Sequence, residues 1–251
     1  MAARAELPGP VGPYHEPADR PQPLARYAEE TGLKVHDPAT AEWLRLGTDR
    51  GAEICLADDG TVRSVFCAYR YPGGRVNSSL DAWIRSLDAL RDTLAELGPQ
   101  PIGGEAVRIA TDLEAVLRRL DPEAVSDPAD WWPQVAQDLR LTATVAAAGI
   151  IEFRAPGGAL RTVRGYTLPG QGHVERRLWE SLRSREVEPE QVVRIHTDLE
   201  PCMLPGNYCA DWLSSTFPDA GSTYSFDYGP RAEDRERGVG ELTDYLQESR
   251  P

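Results

Sequence analysis

Lysine is almost missing from this chain of 251 residues: Lys34 stands alone, and arginine carries the rest of the positive charge. Methionine falls to two residues, and cysteine and histidine to four each. No stretch approaches the roughly 18–20 consecutive apolar residues of a membrane-spanning helix. The opening MAARAELPGPVGPYHEPADRPQPL lacks the apolar core of a secretory signal. These absences make a soluble, cytoplasmic protein with no membrane partner the expectation, and in that compartment cysteines are more often thiols or metal ligands than disulfides. Positive charge is outweighed as well: the formal net charge is −13 and the pI is near 4.8. Long-range fields of that sign repel phosphate backbones and anionic membranes. They argue against a general nucleic-acid binder and leave room for an enzyme with a small local basic track. Internal repeats are also absent.

What is present suits two ordinary domains. Hydrophobic residues make up 41% of the chain and include six tryptophans, enough for packed cores without disulfide or metal staples. Residues 1–20, rich in proline, glycine and charge, read as a disordered tail. Residues 21–145 read as an α+β domain. A short helix runs from Leu24 to Gly32. Apolar runs at Glu53–Leu56 and Val62–Tyr69 flank the turn Asp58-Asp59-Gly60, a hairpin signal. Asn77-Ser78-Ser79 can cap a helix whose apolar positions Leu80, Trp83, Ile84, Leu87, Leu90 and Leu94 recur at threes and fours. Further helices carry Leu113 to Leu120 and Trp131 to Leu139. Residues 146–251 have a different rhythm. Strands are expected at 150–154 and 160–166, a helix at 172–185, a strand at 192–196, a helix around Cys209-Trp212-Leu213, a strand at 223–228, and a polar helix at 233–247. That order is β-β-α-β-α-β-α.

Two short motifs fall at helix starts in this second domain: His173-Val174-Glu175, and Pro201-Cys202 followed by Cys209. Twenty-five residues separate Glu175 from Pro201, room for one helix and one returning strand, so the two helix starts can converge at one sheet edge. Zinc takes imidazole and thiolates in tetrahedral geometry, and a catalytic site uses three protein ligands plus a water. His173, Cys202 and Cys209 supply three such ligands, and helix N-termini favour the thiolate form. Glu175 is placed to shuttle a proton between that water and a departing amine. Residues two apart diverge by about 200° on a regular helix, so both must sit in the first turn to converge.

Histidine-x-glutamate followed by proline-cysteine and a second cysteine resembles the signature of zinc-dependent nucleoside and nucleic-acid deaminases. Thr197-Asp198-Leu199-Glu200-Pro201-Cys202-Met203 looks like the corresponding segment of tRNA adenosine deaminases. Pro205-Gly206-Asn207-Tyr208-Cys209 and the later Tyr224-Ser225-Phe226-Asp227-Tyr228-Gly229 are most similar to deaminases of bacterial polymorphic toxin systems. The resemblance covers roughly residues 146–251. It implies a cytidine deaminase-like, three-layer α-β-α domain with zinc on His173, Cys202 and Cys209 and with Glu175 as general acid/base. Six residues separate the two cysteines where the family pattern has two, and Pro205-Gly206-Asn207 in the insert is a turn-forming sequence that lets Cys209 return. In the first half, Arg75-Val76-Asn77-Ser78-Ser79-Leu80, the helix after it, and the Asp121-Pro122, Asp127-Pro128 and Trp131-Trp132 pairs resemble SUKH-type immunity proteins. Those domains bind and neutralise toxins and are not enzymes.

The resemblance implies hydrolytic deamination of a nucleobase, with cytosine ahead of adenine, in single-stranded nucleic acid or a free nucleotide. A zinc-activated water would attack the amino-bearing ring carbon while Glu175 moves protons. The alternative is an interaction protein that meets a toxin or immunity partner through its first domain and keeps the second as an inactive or regulatory module. Tyr224, Phe226 and Tyr228 can stack on a base or form a core face. Arg176 and Arg177, with Arg183, Arg185 and Arg194, can track phosphate or line an exposed helix face. His196 is the available fourth ligand for a structural zinc site, though it lies in an expected strand. Cys55 and Cys67 read as small buried apolar groups, Trp131-Trp132 as packing between helix and sheet, the final helix as a solvated cap, and His15 and His36 as surface residues.

Overall fold

A computed structural model of the chain describes residues 7–98 and 100–249. The first half is a five-stranded antiparallel sheet backed by helices. Its strands are β1 (Glu16–Pro23), β2 (Leu44–Thr48), β3 (Glu53–Leu56), β4 (Val62–Val65) and β5 (Arg75–Asn77), in spatial order of sequence. The expected hairpin is β3–β4, with Leu56 opposite Val62 and Gly60 at φ +84° in the turn. Helix α1 (Leu24–Thr31) ends at Gly32 in the left-handed conformation. Helix α2 (Leu80–Leu97) starts where Ser79 accepts a hydrogen bond from the Ala82 amide. Helix α3 (Gly104–Leu120) begins one residue after Gly103, well ahead of the Leu113 periodicity. Leu87, Leu90, Leu113 and Leu117 form the core with Ile54, Val62, Trp83 and Trp132.

Several expectations for this half are corrected. Of the expected tail, residues 1–6 lie outside the described residues, but residues 7–20 are ordered. Val11 and Tyr14 are buried, and Glu16–Pro23 is the edge strand. Edge strands accept proline because their outer amides need no ladder partner, so Pro17, Pro21 and Pro23 are compatible with this position. His15 is buried rather than exposed: its ring packs edge-on against Trp83 at 5.1 Å. Gly47 makes room for it, since a Cβ there would lie 2.5 Å from His15 Cε1. Within Asn77-Ser78-Ser79, Ser79 makes the expected cap and Asn77 turns elsewhere. It is fully buried, accepts from Trp132 Nε1 and donates to Asp121. Cys55 and Cys67 are free, buried thiols, as expected.

Helix α4 (Trp131–Thr144) joins the two halves. Ten of its fourteen residues are buried, the mark of a helix covered on more than one side. Trp131, Trp132, Val135 and Leu139 enter the first core, while Leu141 enters a second cluster with Cys202, Cys209, Tyr228 and Val239.

The second half follows as β6 (Ala148–Arg154), β7 (Leu160–Tyr166), α5 (Val174–Arg183), β8 (Val192–Leu199), α6 (Cys209–Thr216), β9 (Gly221–Phe226) and α7 (Ala232–Glu248). The sheet order is β7-β6-β8-β9; β6 is antiparallel to both neighbours, and β8 runs parallel to β9. Helices α5 and α6 share a core with the sheet through Ile151, Trp179, Leu182, Ile195, Leu213 and Phe217. Helix α7 packs on β8, β9 and α4 and buries Asp234, Arg235, Val239 and Leu242, so it is more than a solvated cap. Gly149 and Gly165 let the start of α5 lie close on the sheet. A Cβ at Gly149 would meet Val174 Cγ1 at 2.6 Å. No helix among the described residues is long and apolar enough to cross a membrane.

Two outcomes test this packing. Gly149→Ala should cost about 1–3 kcal/mol by overpacking against the stiff Val174 side chain; an unchanged urea midpoint would contradict the close approach. Burial lowers His15 to about 4, against about 6.5 when unfolded. The unfolded chain then binds the extra proton, so this contribution is intact above about pH 6.5 and is lost as pH falls toward 4, about 3 kcal/mol in all. His15→Gln should flatten the unfolding free energy across that window, and an unchanged slope would contradict the burial.

Candidate metal centre

The centre forms where two helix starts meet behind α4. His173 is the N-cap residue of α5 and approaches through Gly170 and Gly172, whose φ values of +69° and +79° favour glycine. Its backbone amide donates to Asn207 Oδ1 at 3.1 Å, and the Val174 amide donates to Thr167 Oγ1 at 3.3 Å. The imidazole makes no cap bond to the helix and instead turns inward to Asp138. Cys202 follows β8, and Cys209 opens α6; the Ala210 amide donates to the Cys202 carbonyl at 3.0 Å, which folds the second cysteine back onto the first.

The donor atoms converge. His173 Nδ1 lies 3.4 Å from Cys202 Sγ and 3.7 Å from Cys209 Sγ. All three donors fall within 4.8 Å of one another, and all three residues are buried. Bonds of about 2.0 Å to nitrogen and about 2.3 Å to sulfur in a tetrahedral shell set nitrogen and sulfur roughly 3.5 Å apart. The arrangement is thus spaced for a metal ion, and its donor types are those zinc prefers. Burial raises the Cys202 thiol, but the hydrogen bond from Cys209 and the positive His173 outweigh it and hold Cys202 well below its ordinary range. Burial lowers His173, yet the charges of Cys202 and Asp138 raise it well above its ordinary value. Burial and the Cys202 hydrogen bond push Cys209 up. A divalent cation at these donors would favour the thiolate form of both sulfurs.

His173 Nε2 faces away from the sulfurs and meets Asp138 Oδ1 at 2.9 Å. The other carboxylate oxygen of Asp138 accepts from Tyr14 Oη at 2.7 Å and from Asn207 Nδ2 at 3.1 Å. Neither Asp138 nor Tyr14 was singled out in the sequence, and Asn207 was read there only as part of a turn. The available signal for Asp138 was a lone carboxylate among the apolar positions of α4.

The long loop between the cysteines docks against the first half. Gly206, at φ +77°, sits so close to Tyr14 that a Cβ would lie 2.8 Å from its ring. Tyr208 Oη donates to Asp49 Oδ2 at 2.8 Å, beside the Trp131 Nε1 bond to the same oxygen at 2.7 Å.

Glu175, in the first turn of α5 and buried, lines a cavity of about 30 Å³ with His173, Thr142, Thr197, Glu200 and Tyr228. Tyr228 and Glu200 also line a separate cleft of about 680 Å³ that lies between the halves. Of the other expected site residues, Tyr228 reaches the cavity and four do not line it. Tyr224 is 44% exposed on the edge strand β9. Phe226 packs against Tyr245 at 5.8 Å. Arg176 donates to the Asn207 carbonyl at 2.6 Å and lies over Trp212, and Arg177 donates to the Tyr166 carbonyl at 2.5 Å. His196 bonds Thr223 and Ser225 across β8 and β9 and is not in the donor cluster. Among the described residues the cluster therefore has three protein donors, which leaves a fourth position of a tetrahedral shell free.

No curated protein and no solved structure matches the chain. Two family models do: that of the Xanthomonas-like deaminase over residues 144–245, and that of the SUKH-4 immunity protein over residues 6–138, more than half of the chain. The first match contains the histidine, both cysteines and Glu175; the second contains Asp138 and Tyr14. The chain belongs to the SUKH-4 immunity protein family and carries, fused behind that domain, a Xanthomonas-like deaminase domain.

Proposed function

We propose that the second domain is a zinc-dependent hydrolytic deaminase of a nucleobase, with cytosine favoured over adenine, in single-stranded nucleic acid or a free nucleotide. The single observation that carries this reading is the donor trio of His173, Cys202 and Cys209, with Glu175 lining the same cavity as His173. The β7-β6-β8-β9 order, with α5 and α6 opening at its edge, is compatible with a cytidine deaminase-like domain. We take the domains as residues 21–145 and 146–251, with the segment from residue 7 folded onto the first.

His173, Cys202 and Cys209 would hold the zinc. The ion, when bound, supplies Lewis-acid activation of a water near neutral pH. Glu175 takes a proton from the attacking water and returns it to the departing amine, so the exocyclic C–N bond is exchanged for C–O and ammonia leaves. Burial of Glu175 keeps that proton from bulk solvent. Tyr228, between the cavity and the cleft, is the aromatic side chain best placed to meet an entering ring.

One observation favours a second reading. A cavity of about 30 Å³ holds a water but falls far short of the 300 Å³ or so of a small-molecule site. Leu141 and Thr142 of α4 and Val239 of α7 wall it. A chain whose first domain engages a toxin or immunity partner, and whose deaminase domain is held shut or serves only regulation, fits that closure.

Purified full-length protein loaded with zinc should release ammonia from a cytosine-containing oligonucleotide or nucleoside, and Glu175→Ala should lower the rate by at least about 100-fold. Cys202→Ser and Cys209→Ser should each lose bound zinc. Zinc at one per chain with no ammonia from any cytosine or adenine substrate would favour the second reading. Zinc content unchanged in both serine variants would remove the site itself.

A further inference from the structure

We propose that Asp138 is the positioning residue of the metal-holding His173, so that the immunity-family half completes the deaminase centre. The proposal rests on the metal reading above and adds to it a residue outside the matched deaminase segment, which begins at residue 144.

The geometry gives His173 two distinct ends. Nδ1 faces both sulfurs, and Nε2 faces Asp138 Oδ1 at 2.9 Å. A carboxylate partner fixes an imidazole with its proton on the bonded nitrogen and leaves the other lone pair for a metal. Asp138 therefore selects the tautomer whose Nδ1 can ligate, sets the plane of the ring and raises its basicity. The carboxylate is itself immobilised: its side chain is 2% exposed, and Tyr14 and Asn207 hold its second oxygen. Its one ion-pair partner among the described residues is His173. A carboxylate this deep, with no arginine or lysine beside it, is costly unless the groups facing it carry compensating charge.

Asn207 closes the network. It donates to Asp138 and also accepts from the His173 amide, so one side chain in the loop between the cysteines registers both the aspartate and the histidine. The six-residue insert thus does more than return Cys209: it couples the ligand set to α4 and to Tyr14. Asp49 offers an internal comparison. It too is a fully buried carboxylate, held by Trp131 in its own half and tied to the second half through Tyr208, but it does not touch His173.

The test uses the zinc-loaded full chain. Long-range ¹⁵N–¹H spectra of its histidines should show His173 protonated at Nε2 and metal-bound at Nδ1; metal on Nε2, or an Nε2 without its proton, would overturn the proposal without any variant having to fold. Zinc affinity by chelator competition should weaken about 10–100-fold in Asp138→Asn and stay close to wild type in Asp49→Asn. Unchanged affinity in Asp138→Asn, or equal weakening in both variants, would overturn it. If Cys202→Ser loses zinc while Asp138→Asn does not, the positioning role alone fails. If wild type and Cys202→Ser bind zinc alike, the metal reading fails and takes this proposal with it.

Discussion

A carboxylate buried without an arginine or lysine must be held by every donor within reach, and the Asp138 carboxylate organises this molecule. Tyr14 reaches it from the N-terminal segment, Asn207 from the loop between the cysteines and His173 from the start of α5. Any one of these bonds is worth only about 1–3 kcal/mol. Losing one partner strands the others in a dry interior, which makes the set cooperative. Two halves with separate sheets are thereby joined through one helix, and the orientation of α4 becomes a property of the metal centre as well as of the first core.

That shared helix also explains the smallness of the cavity beside Glu175. Its wall includes Leu141 and Thr142, which belong to α4, and Tyr228, which leads toward the larger cleft. On the proposed function, a nucleobase would reach Glu175 only if part of this wall shifted. The net charge of −13 offers a polyanion no long-range attraction.

The donor cluster was legible where it was compact in sequence. Histidine-x-glutamate and proline-cysteine stand at helix starts, and residues of those types at such places have few structural reasons to be there. Helices with clear periodicity, such as α2, were legible for the same reason. Strand β1 was not, because its prolines and charges are tolerated on an edge and carry no alternation of burial. Tyr224 and Phe226 alternate as a core strand would, but β9 is an exposed edge. Asp138 and Tyr14 lie 124 positions apart, and Tyr208 and Asp49 lie 159 apart. No local pattern encodes such pairs. The wide spacing of the cysteines was visible, but its use, docking the loop on the first half, depends on residues the loop meets only after folding.

X-ray absorption at the zinc edge of the metal-loaded full chain tests the central claim most directly. The account predicts two sulfurs at about 2.3 Å and two nitrogen or oxygen ligands at about 2.0 Å, one of them imidazole and the other a small exchangeable ligand. A shell with one sulfur or none, or one with a second imidazole in the fourth position, would contradict it.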